Sequence, residues 1–211
     1  MAKAVRTPTL FTYANGVTTI RVILFVYGLQ FTTSDVKRFL AFYTAAYCLD
    51  GVDGFVSRFL NESSVIGAAY DQLVDRMCTN FLCYLNALRY PDQLKVFYLV
   101  MALDICGHWI HNYACALHQE TNHKKMGNVN FLLKIYYESR VLMTLCIIMY
   151  EGFFGALYAR TFVKPKDPMF LQLTNLLYVT APLCFYKILT NVLQGILGVS
   201  RVLEYDRKVK Y

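Results

Sequence analysis

An all-α fold of about six membrane-spanning helices is predicted by three observations. Apolar residues are spread along the whole chain, they gather at intervals into stretches of span length, and two of those stretches carry pairs of aspartates. Of 211 residues, 56% are hydrophobic and 16% aromatic, and mean hydropathy is positive. A water-soluble core of this size does not need so large an apolar share. The net charge of +7 comes from basic residues scattered between apolar stretches. That pattern argues against nucleic acid as a partner and fits contact with the anionic head groups of a lipid bilayer.

Crossing a hydrocarbon layer takes roughly 20 residues, and the six candidate stretches are 15–33, 36–60, 66–90, 94–117, 131–159 and 170–201. The first follows Lys3 and Arg6, contains Arg21 and lacks a small-residue cleavage site, so it is expected to be a retained span and not a cleaved leader. Polar Thr32–Asp35 separates it from the second stretch, and Asn61–Ser64 separates the second from the third. Pro91-Asp92 ends the third. The segment Gln119–Asn130 follows the fourth, and Lys164-Pro165-Lys166-Asp167-Pro168 precedes the sixth. No connection is long enough for a second domain, so one domain over 1–211 is expected. Seven cysteines without a C-x-x-C pair read as small buried hydrophobes. Six spans put both termini on one side. That side carries ten Lys and Arg against seven on the other, which favours cytosolic termini.

Asp50 and Asp53 are three residues apart, and Asp71 and Asp75 four apart, so each pair lies on one face of its helix. The turn between the helices can bring the faces together. Carboxylates that converge in apolar surroundings repel one another, and the repulsion is relieved by protonation or by cations. Hard oxygen ligands select Mg²⁺, Mn²⁺ or Ca²⁺, and two such ions form a clamp suited to phosphoryl chemistry. The plainer alternative pairs these acids with Arg21, Arg76, Arg140 and Lys187. Gly51, Gly54 and Gly67 leave the carboxylates unshielded, and Arg58, one turn beyond Gly54, can hold a phosphate oxygen through two N–H groups.

The run D-x-x-D-G-x-x-S-R, eight residues, G-x-x-x-D-x-x-x-D over positions 50–75 resembles the signature of the CDP-alcohol phosphatidyltransferase family. It departs from that signature only at Ser57, where the family has alanine. Asn15 to Arg21, N-G-V-T-T-I-R, is similar to the family's first-helix motif. Further along, Leu103-Asp104, His108-Trp109, His111, His123-Lys124, Ile135-Tyr136-Tyr137 and Ser139-Arg140 resemble the eukaryotic phosphatidylinositol synthase branch.

The resemblance implies a metal-dependent transferase of phospholipid biosynthesis that moves the phosphatidyl group of CDP-diacylglycerol to myo-inositol and releases CMP. It implies that Asp50, Asp53 and Asp71 hold one divalent ion, Mg²⁺ or Mn²⁺, that Asp50, Asp71 and Asp75 hold a second, and that Asp75 is the general base. Gly54, Arg58 and Ser64 would contact the donor. A homodimer in the endoplasmic reticulum is implied as well, and the topology favoured by the Lys and Arg count puts both aspartate pairs, and so the active site, near the cytosolic face. Lys134, Tyr137 and Arg140, spaced by three, are expected to share a helix face and to bind the acceptor. Asp104, His108 and His111 fall on one helical face and are expected to form a hydrogen-bonded network in preference to a zinc site. Ser57 is open between a ligand contact and a bond to the helix backbone, and Lys124-Lys125 reads as a lipid-facing charge pair. Two rivals stand. One is the same chemistry on another acceptor, such as glycerol phosphate, serine or choline; the other is an intramembrane ion or proton transporter.

Overall fold

A computed structural model describes residues 11–118 and 130–210, and every secondary-structure element among them is helical. The expectations resting on Lys3, Arg6, His123, Lys124 and Lys125 lie outside the described residues. Seven α-helices follow in order: α1 Tyr13–Leu29, α2 Val36–Phe59, α3 Val65–Arg89, α4 Leu94–Leu117, α5 Phe131–Glu138, α6 Arg140–Arg160 and α7 Pro168–Lys210. Two compact units divide the chain between Cys78 and Thr79, so α3 contributes its first half to one and its second half to the other.

In the first unit, α1 and α2 form a hairpin. Thr12 caps α1 by accepting from the Asn15 N–H, and Asp35 caps α2 by accepting from the Arg38 N–H. These side chains satisfy helix-end donors that would otherwise lack partners. Buried Phe25, Phe39 and Tyr43 fill the seam. After α2 the chain reverses through Asn61, whose φ of 54° is a left-handed conformation that asparagine tolerates better than most residues. Ser64 then accepts from the Gly67 N–H at 3.0 Å and starts α3. This tight reversal sets the aspartates of α3 beside those of α2.

In the second unit, α4 and α6 both pack along α7. The α4–α7 crossing is close because glycines line it. A methyl group on Gly107 would collide with the Asn191 carbonyl oxygen, and one on Gly198 would lie 2.8 Å from the backbone of Ile110 and His111. Buried Asn86 ties the second half of α3 to α6 by donating to the Phe154 carbonyl at 2.9 Å. All seven cysteines are free thiols.

The first four predicted stretches match α1 to α4 within a few residues at most of their ends. The fifth does not survive as one helix. Ser139 is extended (φ −98°, ψ 102°), and its hydroxyl accepts from the Leu142 N–H. A serine that caps the next helix has already ended the previous one. The sixth stretch is longer than expected: α7 has 43 residues, about 65 Å at 1.5 Å per residue, and carries Pro182 within it. By length and composition, α6 and α7 are the described helices apolar enough to cross a membrane.

The glycine crossing makes a comparison testable by thermal unfolding. Gly107→Ala should destabilise the protein by about 1–3 kcal/mol, as overpacking does. Gly152→Ala, whose added methyl meets Thr180 only at an ordinary 3.6 Å, should be neutral or slightly stabilising, because alanine favours helix.

Candidate functional site

Five charged side chains from three helices of the first unit meet at one point. Arg21 on α1 is 2% exposed. Its Nη1 lies 2.9 Å from Asp53 Oδ2 and 2.6 Å from Asp71 Oδ1, and its Nη2 lies 2.8 Å from Asp50 Oδ1 and 2.6 Å from Asp75 Oδ1. Nε donates to the Ala46 carbonyl on α2 at 3.3 Å. A planar guanidinium has five N–H groups in a fixed fork, and here they face five oxygens. Thr18, one turn before Arg21, donates to Asp53 Oδ2 at 2.9 Å. Asp53 is thereby the buried floor of the cluster, while Asp50, Asp71 and Asp75 are a quarter to a third exposed. The convergence expected for the two aspartate pairs is present, and so is the pairing with Arg21 weighed against it.

One guanidinium leaves four carboxylates with a negative excess. Asp50, Asp53 and Asp71 each offer an oxygen, all within 4.8 Å of one another. An all-oxygen set of this spacing suits a hard divalent cation. Asp75 stands outside that group of three and shares Arg21 with it.

Beside the cluster lies a polar pocket of about 200 Å³ whose lining includes Asp53, Asp71, Gly54, Ser57, Arg58 and Ser64. Arg58 folds back over Gly54, its guanidinium nitrogen 3.2 Å from where a side chain on that glycine would begin. Ser57 and Ser63 share a hydrogen bond at 3.0 Å, so the Ser57 hydroxyl faces the turn rather than its own helix backbone. An apolar groove of about 1190 Å³ adjoins this pocket, Asn15 and Glu62 lining both.

The residues expected for an acceptor lie in the second unit and do not share one helix face. Lys134 and Tyr137 are on α5, whereas Arg140 is the exposed first residue of α6, beyond the break at Ser139. The spacing of three suggests one surface only if the helix runs through, and the Ser139 cap prevents that. Lys134 is exposed, 3.8 Å from Glu138. Half-buried Tyr137 accepts from Gln194 Nε2 and stacks on His111. Asp104 is the centre of a network: it accepts from Asn80 Nδ2 at 2.8 Å and Asn191 Nδ2 at 2.9 Å, while His108 Nδ1 lies 2.8 Å from its backbone oxygen. Lys187 donates to Asn191 in the same network. The network reading thus describes Asp104 and His108, whereas His111 meets the Tyr137 ring and, at 3.9 Å, Cys115 Sγ.

The part that sequence reasoning undervalued is α1. Asn15, Thr18 and Arg21 are spaced by three, all buried, and that spacing marks one polar face on the first helix, though not what the face meets.

A profile of the CDP-alcohol phosphatidyltransferase family matches residues 8–199. Among relatives, the CDP-diacylglycerol–inositol 3-phosphatidyltransferase of Mus musculus is 33% identical over 202 residues, covering 94% of this chain and 92% of that protein. The Homo sapiens enzyme of the same name is also 33% identical with the same coverage. That of Schizosaccharomyces pombe is 28% identical over 88% of this chain and 86% of its own length. No solved structure matches the chain.

Gly51 tests whether the open side of the cluster is kept clear for a ligand. Nothing lies within 4 Å of a methyl group placed there, so Gly51→Ala should raise stability by about 0.5–1 kcal/mol through helix propensity. If a substrate passes over that face, the same variant should raise the KM for the nucleotide substrate by about tenfold, the equivalent of one lost contact of about 1.4 kcal/mol. Melting temperature and steady-state kinetics measured on one preparation check both halves.

Proposed function

The chain belongs to the CDP-alcohol phosphatidyltransferase family, and from that premise we propose that it transfers the phosphatidyl group of CDP-diacylglycerol to myo-inositol, giving phosphatidylinositol and CMP. The observation that carries this reading is similarity along nearly the whole chain to enzymes named for that reaction. The aspartates of the signature also converge on one point, as a site that holds divalent ions against a diphosphate requires.

In the reaction, an inositol hydroxyl oxygen bonds to the phosphorus that carries the diacylglycerol. The bond from that phosphorus to the CMP oxygen breaks, and Asp75 accepts the hydroxyl proton. Asp50, Asp53 and Asp71 would hold one Mg²⁺ or Mn²⁺ ion, and Asp50, Asp71 and Asp75 a second. When bound, these ions supply positive charge against the diphosphate and the departing CMP. Arg58 offers a planar fork to a donor phosphate, for which lysine is no substitute, with Gly54 giving it room and Ser64 supplying a hydroxyl. The polar pocket takes the donor's head, and the adjoining apolar groove is of the right character for its acyl chains.

Membrane embedding is supported by large aromatic side chains left exposed on several helices, among them Phe59 (72%), Trp109 (64%), Tyr178 (76%) and Phe185 (64%). A water-soluble surface rarely presents so many. The same reading takes the chain as one functional domain with about six spans, a homodimer in the endoplasmic reticulum, and the aspartates on the cytosolic face. Its supports are the family resemblance and the Lys and Arg asymmetry.

The deciding experiment gives purified protein CDP-diacylglycerol and Mg²⁺ or Mn²⁺ with inositol, glycerol phosphate, serine or choline in turn. CMP release and the lipid product are read together. Inositol should be the acceptor that supports turnover, and preference for another alcohol refutes the assignment. Asp75→Asn should lower turnover about 10²–10⁴-fold, the range of general-base contributions, while keeping much of the donor affinity. Wild-type turnover in that variant, or full activity in excess chelator, is incompatible with the mechanism.

Lys134, Tyr137 and Arg140 remain the proposed acceptor contacts, now on two helices instead of one face. A neutral polyol needs several fixed donors, and Arg140 offers five. Arg140→Ala should raise the KM for inositol about tenfold, one charged hydrogen bond's worth, with the KM for CDP-diacylglycerol little changed. The reverse pattern removes Arg140 from the acceptor site.

A further inference from the structure

We propose that Arg21 is a built-in counter-cation of the aspartate cluster and an antagonist of the divalent ions, so that metal binding must break its pairing with the carboxylates. The inference rests on the metal-dependent reading above but concerns a residue to which that reading gives no task.

The geometry carries it. Each terminal nitrogen of Arg21 bridges two carboxylates, one from α2 and one from α3, at 2.6–2.9 Å. The guanidinium thus stands among the same carboxylates that a shared ion would use. A guanidinium has no lone pair with which to ligate a metal. A divalent ion held by these carboxylates would therefore meet the like charge of Arg21 nearby. Burial removes the screening that would weaken that repulsion. The two cations therefore compete for one set of carboxylates.

Two contacts fit an exchange better than a permanent strut. Nε of Arg21 is anchored to the Ala46 carbonyl, not to a carboxylate, so the side chain has a pivot apart from the cluster. Asp53 has a second donor in Thr18 and keeps its position when Arg21 turns away. Before metal arrives, Arg21 offsets part of the repulsion among four carboxylates and holds α1, α2 and α3 in register. Linkage then requires that whatever favours the Arg21 pairing weakens the metal, and the reverse.

The test uses full-length protein in detergent without substrate, which separates it from the acceptor assignment. Mn²⁺ binding is titrated by the resonance signal of the free ion, and melting is followed in chelator and in saturating Mn²⁺. Arg21→Gln should melt below wild type in chelator, bind Mn²⁺ about tenfold more tightly, and gain more in melting temperature from Mn²⁺ than wild type gains. Arg21→Lys keeps the charge but not the fork, so it should lose stability in chelator while its Mn²⁺ affinity stays near that of wild type. If Arg21→Gln does not survive chelator, it is purified with Mn²⁺ and exposed to chelators of graded strength. It should then give up its ion less readily than wild type. Equal or weaker Mn²⁺ binding by Arg21→Gln, or equal tightening in both variants, overturns the proposal. Failure of wild-type protein to bind Mn²⁺ at all would instead sink the metal-dependent reading.

Discussion

Four carboxylates brought together in a largely apolar chain repel one another, and the first unit is arranged around that constraint. Asp50, Asp53, Asp71 and Asp75 come from two helices, and the guanidinium of a third helix touches all of them. Truncating one partner of such a buried group leaves charges without compensation, which is far more damaging than losing an exposed pair. The α1–α2 hairpin, the left-handed turn at Asn61 and the Ser64 start of α3 all serve to bring those three helices to one point. Thr18 adds a neutral donor where the carboxylate is most deeply buried.

The same constraint leaves the cluster open on one side. Asp53 is closed in by Thr18 and Arg21, so approach is limited to the partly exposed Asp50, Asp71 and Asp75. There Gly51 adds no bulk, and Gly54 lets Arg58 lie back across the helix. The polar pocket and apolar groove that share Asn15 and Glu62 place a charged end and a greasy end side by side. An amphipathic donor with a diphosphate and two acyl chains has that shape.

The second unit uses polar groups differently. Asp104, Asn80, Asn191, His108 and Lys187 satisfy one another in the interior, as buried polar groups must when water is excluded. Its long α7 is held against α4 by glycines whose absent side chains permit backbone contact. This close packing needs no apolar driving force between helices, which suits helices surrounded by lipid.

Much of this was legible in the sequence, because periodicity and spacing act within single helices. The apolar stretches marked the helices, and Asp50/Asp53 and Asp71/Asp75 marked two faces that meet at Arg21. The run of fixed residues from 50 to 75 pointed to the family. What failed were inferences that needed knowledge of where a helix stops or what sits opposite. The spacing of Lys134, Tyr137 and Arg140 looked like one surface until the Ser139 hydroxyl capped α6 and broke it, since a serine reads alike inside a helix and at its end. Arg21 was visible as a charge, but its bond to each of four carboxylates depends on three helices meeting, and no spacing along one chain encodes that. Local hydrogen bonding and amphipathicity are written in neighbouring residues; the meeting of charges from separate helices is decided by packing.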